Sequence, residues 1–143
     1  MPFTESNAAL SPDGRWIAYQ ANPSGRTEMY VRPFPDVNQG QSQVSTDGGT
    51  QPLWSRDGRE LFYRNGDALM AVPIGRDPRT AGRPHQLFTA DYVQGDGGRA
   101  YDVAPDGTRF LMLKEPVTQN PTRATITIVE HWRTQLERLL PTK

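Results

Sequence analysis

Cysteine is absent from the 143 residues, and histidine occurs only at His85 and His131. The missing thiols remove disulfides, thiolate nucleophiles and sulfur-ligated metal sites in one observation. A histidine-built metal centre wants clustered ligands, and neither histidine has such a neighbour in sequence. Both read as surface or packing residues. No apolar run approaches the ~18 residues of a membrane-spanning helix. No basic start followed by an apolar core reads as a signal peptide. Charge of one sign is missing too: Lys plus Arg and Asp plus Glu are each 16, so no basic field recruits nucleic acid. No Ser stands in a Gly-x-Ser-x-Gly elbow, and no Gly-rich phosphate loop, His-Arg-Asp segment or Asp-Phe-Gly appears. The sequence gives no reason to expect a catalytic residue, a metal or a cofactor.

Turn formers are plentiful, with 13 Gly and 13 Pro against a hydrophobic fraction of 35%. That mix suits many short strands better than long helices. One stretch recurs: Ser11-Pro12-Asp13-Gly14-Arg15-Trp16-Ile17-Ala18-Tyr19, then Ser55-Arg56-Asp57-Gly58-Arg59-Glu60-Leu61-Phe62-Tyr63, then Ala104-Pro105-Asp106-Gly107-Thr108-Arg109-Phe110-Leu111-Met112. Each copy is an Asp-Gly turn followed by an apolar strand. The three aspartates are 44 and 49 residues apart, the period of propeller blades. A second marker keeps step, since Asp47-Gly48-Gly49 and Asp96-Gly97-Gly98 each precede the Asp-Gly turn by ten residues.

Four strands are expected in each of the first two units. In the first they lie around Asn7–Leu10, Trp16–Gln20, Glu28–Arg32 and Ser42–Ser45. In the second they lie around Gln51–Trp54, Glu60–Arg64, Leu69–Ile74 and His85–Thr89. The third unit shows strands at Ala100–Val103, Arg109–Leu113 and Ala124–Val129. A helix face follows, because Trp132, Leu136, Leu139 and Leu140 recur at helical spacing. The second strands align Ile17, Leu61 and Phe110 in one column and Ala18, Phe62 and Leu111 in the next, so both faces are apolar and sheets should stack on sheets.

Ser11 to Tyr19, Tyr30-Val31-Arg32-Pro33-Phe34-Pro35 and Ser55 to Tyr63 together resemble TolB-like, WD-like β-propeller repeats. The variety resembled is the C-terminal propeller region of bacterial eukaryotic-like serine/threonine protein kinases. The ending from Val129 to Pro141 is similar to the tail of such proteins. The resemblance implies a propeller of about six blades in full-length relatives, outside the membrane when attached to a kinase. It leaves the compartment of this chain open.

The expected fold is all-β: three four-stranded antiparallel blades, half of a six-bladed propeller, with a short C-terminal helix. A single domain spans 1–143, with blade 1 at about 1–46, blade 2 at about 47–95 and blade 3 plus the helix at about 96–143. A three-blade arc exposes two flat apolar faces. Two copies are therefore expected to close a ring head-to-tail, residues 2–5 of the partner supplying the third unit's missing strand. Asp13, Gly14, Asp57, Gly58, Asp106 and Gly107 read as structural turns. Candidate binding residues, in loops bordering a channel mouth, are Asn22, Arg26, Asp47, Gly48, Gly49, Asn65, Asp67, Asp96, Gly97 and Gly98. Arg15, Arg26, Arg59 and Arg64 read as rim and turn charges, and Trp16, Trp54 and Trp132 as core or blade-edge packing. The expected function is non-enzymatic recognition of a protein or small ligand in the manner of a sensor domain. The alternative is a propeller hydrolase or lyase, or an accessory domain of a peptidase, with a metal at the channel mouth.

Overall fold

The computed structural model describes residues 4–89, 91–93, 98–114 and 125–130. The first sheet pairs β1 (Glu5–Leu10), β2 (Trp16–Ala21), β3 (Glu28–Pro33) and β4 (Ser42–Gln43) in chain order. The second repeats this with β5 (Thr50–Trp54), β6 (Glu60–Asn65), β7 (Ala68–Pro73) and β8 (His85–Thr89). In the third, β10 (Arg109–Lys114) lies between β9 (Tyr101–Val103) and β11 (Thr125–Glu130). Every pairing is antiparallel. The helix expected over 132–140 lies outside the described residues. A single 3-10 turn, Pro78–Thr80, interrupts the loop before β8, with Asp77 capping it by accepting from the Arg79 amide at 2.9 Å.

The Asp-Gly turns set the repeat. Gly14, Gly58 and Gly107 sit at φ of 70°, 69° and 68°, a left-handed conformation that side-chain-bearing residues rarely adopt. In each turn that glycine's amide donates to the carbonyl three residues back, at 2.9, 3.0 and 2.9 Å.

Two apolar layers hold the sheets together. Between the first and second sheets lie Ala18, Met29 and Val31 against Trp54, Leu61, Tyr63, Val72 and Ile74. Between the second and third lie Phe62, Leu69, Ala71 and Leu87 against Tyr101, Val103, Phe110 and Met112. Phe62 and Phe110 meet edge to face with centroids 4.9 Å apart. β6 is thus apolar on both sides, and each large side chain so buried stabilises by about 1.5–3 kcal/mol. The two aligned columns behave differently at the ends of the stack. Leu61, Phe110, Ala18 and Phe62 are buried, Ile17 is half-buried and Leu111 is 41% exposed. Ile17 and Leu111 lie on the outer faces of the first and third sheets, where no sheet of the described residues covers them.

The first strands of the first two sheets, β1 and β5, contain a feature absent from the sequence expectation. Asn7 and Gln51 take left-handed φ values of 48° and 57°, where the β1–β2 and β5–β6 registers slip. Both stand six residues before their Asp-Gly aspartate. The bulge turns backbone groups toward the neighbouring sheet. The Gln51 amide donates to Gln20 Oε1 at 3.0 Å, and Tyr101 donates from its hydroxyl to the Gln51 carbonyl at 2.7 Å.

Candidate functional site

Antiparallel pairing sends the β2–β3 and β6–β7 hairpins to one end of the stack and the Asp-Gly turns to the other. The hairpin end gathers three of the ten channel-mouth candidates, Arg26, Gly48 and Gly49, around Glu28. This carboxylate is buried, with 1% exposure. It accepts from Arg26 Nε at 2.7 Å, from the Gly48 amide at 3.0 Å and from the Ser45 hydroxyl. Arg26 also donates to the Thr46 carbonyl, and the Gly49 amide donates to the Thr27 carbonyl at 2.9 Å. A Cβ on Gly49 would stand 2.6 Å from Met29 Cγ, and one on Gly48 would stand 3.3 Å from Asn65 Oδ1. Gly49 thus lets the return loop pack closely on β3 of its own blade, and Gly48 brings that loop against the next blade's hairpin. Asn22, on the same side, accepts from the Thr4 amide at 3.0 Å.

Asp47 and Asp67 are exposed, as is Gly98, while Asp96 and Gly97 lie outside the described residues. The charges of Glu28 and Asp47 add to burial, the larger cause, in pushing the Tyr63 phenol up to about 12. Among the described residues no group of three His, Cys, Asp or Glu could hold a metal ion. His85 sits half-buried on β8, and His131 lies outside the described residues.

Arg64 corrects the sequence expectation. It is not a rim charge: at 1% exposure it is the largest fully buried side chain among the described residues. Its Nη2 donates to the Gly66 carbonyl at 2.8 Å, while Nε and Nη1 meet no acceptor among the described residues. Burial lowers its pKa, and the Tyr92 ring lies 5.8 Å from its Cζ. The repeat could have flagged it, because the same position is Gln20 in the first unit and Leu113 in the third.

At the opposite end each Asp closes its own turn. Asp13 accepts from the Ser11 hydroxyl at 2.6 Å and from the Arg15 amide at 3.1 Å, and Asp57 does the same with Ser55 and Arg59 at 2.7 and 3.0 Å. Asp106 takes both bonds from Thr108, at 3.0 and 2.8 Å. The Ser11 bond, then the Arg15 bonds, hold the Asp13 carboxyl down at about 2. Asp57 is lowered chiefly by Ser55, and Asp106 by the Thr108 amide. These carboxylates are spent on their turns.

Between the first two turns the surface is concave. A cleft of about 480 Å³ is lined by Asp13, Arg15, Trp16, Trp54, Asp57 and Arg59, and by the Ile74–Pro78 stretch of the β7–β8 loop. Gly58 abuts Pro12, a Cβ there lying 3.7 Å from Pro12 Cδ, so the two turns touch. Trp54 is fixed by donating from Nε1 to the Ala9 carbonyl at 2.9 Å. Arg79 lies over the half-buried Trp16 ring, 5.7 Å from its centroid. Sequence reasoning missed this cleft because its two walls are 44 residues apart and meet only when blades stack.

No protein-family model matches the chain. No curated protein matches it either. Solved structures do. TolB from Acinetobacter baumannii superimposes with a TM-score of 0.62 at 17% identity, over 88% of this chain and 30% of that one. An oligogalacturonate lyase from Vibrio parahaemolyticus gives 0.60 at 15% identity, over 88% of this chain and 38% of that one. A puromycin hydrolase gives 0.59 at 16% identity, over 92% and 21%. The shared property is the fold. This chain is built of β-propeller blades. It spans less than half the length of each of these structures, and they include both TolB and enzymes.

Proposed function

We propose that the chain is a non-enzymatic binding module whose blades close into a six-blade ring with a second copy. The observation that carries this is the identity of the two outer faces, exposed on the third sheet and formed on the first by the buried Tyr19 and Tyr30 with Ile17 and Arg32. Leu111, Leu113, Ile126 and Ile128 are 41%, 37%, 65% and 59% exposed on the third sheet. Leu111 and its partner Ile128 occupy the places of Phe62 and Ala71, which are buried between sheets. At the other end Ile17, Tyr19, Tyr30 and Arg32 occupy the places of Leu61, Tyr63, Met70 and Val72, the side of the second sheet that packs on the first. The chain therefore carries both halves of an inter-blade contact on its two ends. A head-to-tail contact of this kind closes under a half-turn rotation.

Recognition falls to the loops at the hairpin end, Asn22, Arg26, Asp47, Asn65 and Asp67 among them, and the ligand is a protein segment or small molecule. Attachment to a kinase-like sensor is the finer form of this reading, supported by the sequence resemblance alone. The commitment of Asp13, Asp57 and Asp106 to their own turns favours binding over acid–base chemistry. The second reading, a part of a hydrolase, lyase or peptidase, is favoured by the enzyme structures among the fold neighbours. A thermal-shift panel of divalent cations, sugars and peptides separates the two, because a ligand of the native state raises stability by mass action. Peptide or sugar shifts without cation dependence fit the module. Shifts that require a divalent cation fit the enzyme.

A further inference from the structure

The cleft between the first two Asp-Gly turns has the make-up of a ligand site, and it lies away from the faces used in ring closure. Its floor is apolar: Trp54 is 6% and Ile74 8% exposed, and Pro12 and Pro78 flank them. Its rim carries three arginines, Arg15, Arg59 and Arg76, against two carboxylates, Asp13 and Asp57. Each carboxylate is already engaged by a serine hydroxyl and a backbone amide, which leaves the cationic groups in excess. Arg15 is held by Asp13 at 2.8 Å. Arg59 is 83% exposed and only loosely paired, 3.9 Å from Asp57. Arg76 is exposed and forms no ion pair with a described residue. A volume of about 480 Å³ falls in the range of small-ligand and peptide-anchor pockets.

We propose that this cleft binds an acidic peptide segment, with a flat apolar side chain such as proline against Trp16 and neighbouring carboxylates on Arg59 and Arg76. Guanidinium groups favour carboxylates through charge-assisted hydrogen bonds, and a half-buried indole offers a flat face at low entropic cost. The third unit cannot repeat the site, since Thr108 and Arg109 stand where the first unit has Arg15 and Trp16. The proposal goes beyond the recognition assigned to the hairpin-end loops, adding a second site at the opposite end of the stack.

The test is fluorescence anisotropy with a labelled hexapeptide alternating Glu and Pro, against the same peptide with Gln for Glu. Saturable binding of the Glu peptide, weakened at least about tenfold in an Arg59→Gln/Arg76→Gln variant and in the Gln peptide, is the expected result. Both arginines are exposed, so the double variant should keep its circular dichroism and melting temperature. Leu111→Asp, which disrupts ring closure, should leave the affinity unchanged. Failure of the Glu peptide to bind, or equal binding by the Gln peptide or by the double variant, overturns the site. In those cases a shift with another ligand in the thermal panel still leaves the binding-module reading standing.

Discussion

Gln20 on β2 accepts a hydrogen bond from the backbone N–H of Gln51 on β5, 3.0 Å away and 31 residues on in the chain. The next join repeats the device, with Gln51 Oε1 accepting from the Ala100 amide at 3.0 Å. Successive blades are thus tied by side-chain amides as well as by apolar packing. The left-handed bulge at Gln51 is what presents its N–H to the neighbour.

Replacing Gln20 by Leu, the residue the third unit has at this position, leaves the Gln51 amide without its acceptor. The expected cost is about 1–3 kcal/mol, read from urea unfolding at unchanged m-value.

Glu28 joins Arg26, Ser45 and Gly48 in a single buried cluster. Glu28→Ala should destabilise by a similar ~1–3 kcal/mol. It should also loosen the return loop locally. Native-state hydrogen exchange at the Gly48 amide should accelerate more than exchange at the β6 amides; uniform acceleration would argue against a local hub.

Arg64 buries a charge with two donor nitrogens that meet no acceptor among the described residues. Arg64→Met keeps the volume and removes the cation, a replacement that is often neutral or stabilising by about 1–4 kcal/mol. The urea midpoint should hold or rise. A loss larger than about 2 kcal/mol would mean that Arg64 serves a polar partner.

The turn carboxylates give the fold an acid sensitivity of known sign. Asp13, Asp57 and Asp106 titrate below the ordinary value of 3.8 in the folded protein, Asp13 at about 2. Their contribution is fully present above the unfolded value and is lost as pH falls from about 4 toward 2. Exposure of these side chains keeps the effect small. Asp13→Asn should flatten the stability profile between pH 4 and 2 while changing its shape little between pH 5 and 8.

Much of this architecture was legible because the turns are local. Asp13-Gly14, Asp57-Gly58 and Asp106-Gly107 require only neighbouring residues, and the apolar strands after them announce their partners by period. What escaped depends on the stacking of blades. The bulge at Gln51 uses a residue with no special preference for positive φ, and its backbone bonds to Gln20 and Tyr101, on the two neighbouring blades, account for it. Arg64 looked like a surface charge because single-sequence polarity carries no record of the sheet packed against it. The cleft at Trp16 and Arg59 joins two repeats, so no window along the chain contains it.

The central claim is that two outer faces, each the repeat-equivalent of a buried one, cover one another in a second copy. Multi-angle light scattering at micromolar concentration measures this directly. The account predicts twice the mass of one chain, falling to the single-chain mass in a Leu111→Asp/Ile128→Asp variant that keeps its strand content. A folded wild-type protein that stays at the mass of one chain across that range would contradict it.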